Sequence, residues 1–106
     1  MKSITVKELK ELMDQNADFQ LIDVREDYEY EAGSIEGSEH IPMNDVPANA
    51  DRISKDKQVI VQCRSGKRSA NVIQFLEMNH QFENLYNLEG GIIAWATEID
   101  PETGVA

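Results

Sequence analysis

"QVIVQCRSGKRSANVIQFLEMN", residues Gln58 to Asn79, contains a strand, a loop and a helix in immediate succession. Gln58–Cys63 is β-branched and apolar, and a polar loop containing Gly66 terminates it. From Ser69, the residues Val72, Ile73 and Leu76 fall on one helical face. Cys63, the chain's only cysteine, thus stands at the carboxyl end of the strand, and Arg64, Lys67 and Arg68 fall within the six positions that begin with it. In open parallel sheets, ligands bind beyond the carboxyl ends of strands, which makes this loop the candidate site.

Working outward, the same alternation covers the chain. "TVKELKELMDQ" places Val6, Leu9, Leu12 and Met13 at helical spacing, and Thr5 with Glu8 forms a capping-box pattern. "FQLIDV", Phe19 to Val24, is too continuously apolar for a strand with one wet face and predicts a buried one. "REDYEYEAG" predicts a short acidic helix ending at Gly33, and "HIPM" a brief strand. The Asn-, Asp- and Pro-rich stretch that follows predicts a loop with one helical turn. "NLYNLEGG" predicts a strand and turn, and "IIAWATEI" a last helix before the polar tail "DPETGVA", which is expected to fray. Strands alternating with helices predict an α/β fold with a mainly parallel central sheet. At 106 residues this is one domain, residues 1–100, with a polar C-terminal tail over 101–106.

Twenty acidic residues against ten basic give a net charge of −10, which argues against nucleic acid or an anionic membrane as partner. The N-terminus has no apolar signal-like region and no stretch approaches the roughly 18 apolar residues of a membrane span, so a cytoplasmic location is expected. One cysteine cannot form an internal disulfide, and with only His40 and His80 beside it there is no zinc-type cluster. Cys63 is therefore either a buried, inert thiol or a reagent.

Its surroundings favour the reagent. A loop leading from a strand into a helix turns successive N–H groups inward, and the helix N-terminus adds partial positive charge, which together cradle an anion. The same field, reinforced by Arg64, Lys67 and Arg68, is expected to hold the Cys63 thiol below its ordinary pKa. Gly66 suits a point of positive φ or of close substrate approach.

"CRSGKRS" resembles the active-site loop of the rhodanese family, particularly its single-domain sulfurtransferases. "LIDVREDYEYEAGSIEG" resembles the family's first signature region and "NLEGGIIAWA" its C-terminal one, so that the likeness runs from about Ile4 to Glu98. The resemblance implies a rhodanese-like fold, a central parallel sheet flanked by helices, and a double-displacement reaction. Cys63 would be the nucleophile, taking sulfane sulfur from thiosulfate or a similar donor as a persulfide and passing it to cyanide, a small thiol or a protein thiol. The loop Arg64, Ser65, Gly66, Lys67, Arg68 and Ser69 would bind substrate, its backbone cradling the outer sulfur and its cations the donor's oxygens. No metal or organic cofactor is implied.

Asp23 and Arg25 match a family motif near the pocket and are expected to order strand ends and loops, while Trp95 belongs to the core, with Gly90 and Gly91 supplying a turn. Where the family commonly has Gly-His-Ile-Pro-Gly-Ala, this chain has Gly33, Ser34, Ile35, Glu36, Gly37 and Ser38. A rival reading is a cysteine phosphatase, whose loop sets five residues between Cys and Arg; here Cys63 and Arg68 have four, a tighter ring that suits sulfur better than phosphoryl. A non-catalytic interaction module is a second rival, set against the presence of Cys63.

Overall fold

The computed structural model describes residues 1–106. Five strands form one sheet in the order β1-β5-β4-β2-β3, every neighbouring pair parallel: β1 (Ser3–Ile4), β2 (Phe19–Asp23), β3 (Glu39–His40), β4 (Gln58–Gln62) and β5 (Leu85–Leu88). Four α-helices connect or follow them: α1 (Val6–Asp14), α2 (Asp27–Ala32), α3 (Lys67–His80) and α4 (Gly91–Glu98). Two 3-10 helices, Met43–Asp45 and Pro47–Arg52, occupy the stretch expected to hold one turn.

The apolar residues Leu21 and Ile22 of β2 and Val59, Ile60 and Val61 of β4 are explained by burial on both sides. Side chains alternate across a strand, so neighbouring residues must enter different cores. Leu21 and Ile60 join Leu9, Leu88, Ile92 and Trp95 beneath α1 and α4. Ile22, Val59 and Val61 join Val72, Ile73 and Leu76 beneath α3. Both layers close over β4, the middle strand, and Cys63 follows its last residue. The α1 capping box forms as its spacing implies: Glu8 N–H donates to Thr5 Oγ1 at 3.1 Å and Thr5 N–H to Glu8 Oε1 at 3.0 Å.

The brief strand read in "HIPM" falls instead at Glu39–His40, and three further features differ from the sequence expectation. The N-terminal Ser3–Ile4 is a strand, with Ser3 beside Asn87 and Ile4 beside Leu88, and two residues are too short to show a periodicity. α3 begins at Lys67 rather than Ser69, because Gly66 at φ +107° bends the chain into the helix two residues earlier, a backbone region that a side chain disfavours. The tail does not fray. Val105 packs against the core under α1 and α4, and Gly104 lies so close to Ala32 that a Cβ there would collide with the Ala32 carbonyl oxygen. One apolar side chain, one close backbone approach and a hydrogen bond from Arg64 to the Ala106 carbonyl fasten a segment whose composition is otherwise that of a free end.

Candidate active site

Cys63 is only 1% exposed, and its sulfur lies at the floor of the loop. Gly66 N–H donates to Sγ at 3.1 Å and Ser69 N–H at 3.5 Å, while Ser69 Oγ lies 3.4 Å away. The shape follows from the helix start. With Lys67 as the first helical residue, the N–H groups of the first turn have no carbonyl a turn back to bond, and that of Ser69 is turned on the sulfur instead.

Neighbouring elements hold the loop in this form. At the start of α4, Ile92 N–H donates to the Cys63 carbonyl at 2.9 Å and Ile93 N–H to the Arg64 carbonyl at 3.2 Å. With those carbonyls drawn toward α4, the loop's N–H groups are left to face the thiol. On β5, Asn87 donates from Nδ2 to the Gly66 carbonyl at 3.0 Å and accepts the Ser69 hydroxyl at 2.6 Å.

Burial pushes the Cys63 thiol toward its neutral form, but hydrogen bonds from the Ser69 side chain and from the N–H groups of Ser69, Gly66 and Ser65 outweigh it and hold the pKa below the ordinary value. The direction expected from the sequence is met, and its main agent is the set of N–H and O–H donors rather than the cations.

The three cations part company. Lys67 is exposed and has no ionic partner, and Arg64 is exposed with Nε donating to the Ala106 carbonyl at 3.1 Å. Arg68 is not free: its two terminal nitrogens grip the Glu29 carboxylate at 2.7 and 2.8 Å. That pairing, foremost among the causes, draws the Glu29 carboxyl down to about 2 against the opposing pull of burial, and raises Arg68 above its ordinary value.

Glu29 stands on α2 in a wall built around Arg25. Arg25 and Asp23 are wholly buried, and the guanidinium donates to Asp23 at 2.7–3.1 Å and to the carbonyls of Glu29 at 3.3 Å and Gly33 at 2.7 Å. The pair orders backbone, as expected. His40 adds a ring stacked on Tyr30, with Nε2 2.7 Å from the Arg25 carbonyl oxygen. Trp95 is core, and Gly90 and Gly91 turn the chain into α4.

Sequence reasoning missed Glu29 and Asn87. Glu29 lies 39 positions from the arginine it binds, inside an acidic run that reads as a solvated face. Asn87 left a faint signal, a polar residue within the apolar strand "LYNL" that pairs in register with Val61, two positions before Cys63.

The rhodanese-like domain model matches residues 5–98. A Bacillus subtilis protein named "Putative sulfurtransferase YtwF" is 40% identical over 102 residues, covering 96% of this chain and 97% of the relative. An Allochromatium vinosum protein named "Sulfurtransferase" is 34% identical over 96 residues, covering 91% of this chain and 89% of the relative. The crystal structure of a rhodanese-like domain protein from Staphylococcus aureus superposes with a TM-score of 0.85 at 36% identity, covering 100% of this chain and 99% of the other. With the family model, the sequence identities and the overall superposition in agreement over nearly the whole length, the chain belongs to the rhodanese-like domain family.

Proposed function

We propose that the protein is a thiosulfate sulfurtransferase that carries sulfane sulfur on Cys63. The observation that bears most weight is the convergence of Gly66 N–H, Ser69 N–H and Ser69 Oγ on one sulfur atom, in a loop with four residues between Cys63 and Arg68. Such donors stabilise a thiolate before reaction and a persulfide anion after it, so one cradle serves both half-reactions. The relatives named as sulfurtransferases support the same reading.

In the first half-reaction the thiolate attacks the outer sulfur of thiosulfate. A new S–S bond forms at Cys63 while the donor's own S–S bond breaks, and its electron pair leaves with sulfite. In the second, cyanide or a thiolate acceptor attacks the outer sulfur of the persulfide, and the electron pair of the broken bond returns to Cys63. Arg64 and Lys67, the loop's exposed cations, attract the donor dianion and hold its oxygens. Arg68, paired with Glu29, braces the first turn of α3 against α2. Locally placed positive charge is what lets a chain of net charge −10 take an anionic donor. No helix is long and apolar enough to cross a membrane. Small sulfur donors and thiol or cyanide acceptors are the expected partners.

Incubation with thiosulfate, followed by intact-mass measurement, is expected to add one sulfur atom that cyanide then removes as thiocyanate. Cys63→Ser keeps the fold and brings turnover to background, because a hydroxyl is neither acidic enough nor able to carry sulfane sulfur. Release of phosphate from an aryl phosphate at enzymatic rates, dependent on Cys63 and without persulfide formation, refutes the proposal in favour of phosphatase chemistry.

A further inference from the structure

Asn87 sits on β5 and crosses to the loop, where its carboxamide meets two groups at once. Nδ2 donates to the Gly66 carbonyl at 3.0 Å, and Oδ1 lies 2.6 Å from Ser69 Oγ. A carbonyl only accepts, so the Gly66 contact fixes which end of the amide is which and leaves an acceptor facing Ser69. Ser69 is fully buried, and its hydroxyl also lies 3.4 Å from Cys63 Sγ. The hydroxyl has one proton and two acceptor neighbours whenever the sulfur is an anion.

When Cys63 is a neutral thiol, both contacts are satisfied in one direction: S–H donates to Ser69 Oγ, and the Ser69 proton goes to Asn87 Oδ1. When the sulfur is ionised, the Ser69 proton can serve the sulfur only by leaving Asn87. The amide oxygen therefore competes with the sulfur for a single hydrogen.

We propose that Asn87 is a positioning residue of the sulfur site, acting through Ser69: its amide carbonyl draws the Ser69 proton away from the thiol and gives it up when the sulfur becomes anionic. For the thiol this follows from geometry alone; for a persulfide it rests on the sulfurtransferase reading. The amide thereby tempers Cys63, keeping the resting sulfur less reactive than its N–H cradle by itself would make it, while Nδ2 holds the Gly66 carbonyl so that the loop keeps its form. The charged groups around the sulfur are Arg64, Lys67 and Arg68 on the loop and α3, Glu29 on α2 behind Arg68, and the Asp23–Arg25 pair at the end of β2. None is altered by substitutions at Asn87 or Ser69.

The test is the pH profile of Cys63 alkylation by iodoacetamide, measured on the unmodified thiol. Asn87→Leu removes the competing acceptor and is expected to shift the profile to lower pH, raising the alkylation rate at neutral pH about threefold to tenfold, the worth of one redirected hydrogen bond. Ser69→Ala shifts the profile to higher pH. In a Ser69→Ala background, Asn87→Leu produces no shift to lower pH, because no proton remains to be contested. A loop merely loosened by losing Asn87 exposes the buried thiol and changes alkylation at every pH without lowering the midpoint, or alters both backgrounds equally, and either result overturns the proposal. A second measurement needs no substitution at Asn87: the Asn87 side-chain NH2 resonances of the wild type should titrate with the alkylation profile, and that titration should vanish in Ser69→Ala. Resonances that stay fixed, or that titrate equally without Ser69, also overturn it. Thiosulfate enters none of these readouts, so failure to form a persulfide would count against the sulfurtransferase reading alone.

Discussion

The Cys63 loop and the Asp23–Gly33 wall lie side by side and treat charge in opposite ways. In the wall the inward-facing charges are buried and answered: Arg25 by Asp23 and two carbonyls, Glu29 by Arg68. In the loop Arg64 and Lys67 remain exposed, and the buried sulfur is met by backbone N–H groups and one hydroxyl rather than by an ion pair. A saturated ion pair is a good frame and a poor reagent, because its charge is already neutralised where it stands. An array of N–H dipoles aimed at one atom can instead follow that atom through thiol, thiolate and persulfide without rearranging. Arg68 belongs to the loop by sequence and to the wall by contact, and it is the joint between them.

The comparison breaks most visibly if the wall proves dispensable. Arg25→Ala strands the Asp23 carboxylate in a fully buried position and is expected to cost about 3–5 kcal/mol of stability, read from urea unfolding. Replacing both partners, Asp23→Leu with Arg25→Met, should recover much of that loss, since no charge is then left unpaired. A cost below about 1 kcal/mol for Arg25→Ala, on the scale of a surface pair, would show that the wall is not the frame.

A smaller effect sharpens the role of the joint. Glu29 is held at about 2, below its ordinary 4.5, chiefly by its hydrogen bonds to Arg68. A carboxyl with a depressed folded-state pKa stabilises the fold in full above its unfolded value, and this contribution fades as pH falls from about 4.5 through about 2. At neutral pH it is worth about 2 kcal/mol, the low end of what the shift implies, because the Arg68 side chain is 30% exposed and partly screened. The stability gap between wild type and Glu29→Gln should be present at pH 7, shrink below about pH 4.5 and close near pH 2. A gap that stays constant across that range would mean that the pair contributes shape and no charge.

How far the two regions are legible in the sequence follows the range of the interactions that make them. The loop is a local object, a strand end, one glycine and a helix start within seven residues, and "CRSGKRS" by itself carries its chemistry. The sheet is legible for the same reason: β2 and β4 each centre on an apolar, strand-forming stretch, while β1, two residues long, has no period to read. The wall depends on distant partners. Asp23 and Arg25 read as a structural pair because they are two residues apart, but nothing in "DYEYEA" marks Glu29 as the carboxylate that Arg68 will meet. The sequence therefore presents three equivalent cations, and the fold makes them two and one. The tail misleads because seven residues without any periodic pattern conceal a single apolar anchor, Val105, and a glycine that fits against Ala32.

The smallest expected effects separate the two exposed cations from the one held by a carboxylate. Arg64 and Lys67 are exposed and hold no acidic side chain, so Arg64→Ala and Lys67→Ala should each change stability by no more than about 0.5 kcal/mol. Their action should fall instead on the donor. An exposed charge interacting with a nearby anion is worth about 0.2–1 kcal/mol, so each substitution should raise the thiosulfate KM about twofold to fivefold while kcat moves little. Salt should act as a weak substitute, raising the wild-type KM as the field is screened, and the double variant should respond less because it has less field to lose. Two unfolding curves and a KM series over ionic strength decide the matter. If the single variants lower the unfolding midpoint and leave KM and its salt dependence untouched, Arg64 and Lys67 are frame residues like Arg25, and the division between a neutralised wall and a charged, substrate-facing loop does not hold.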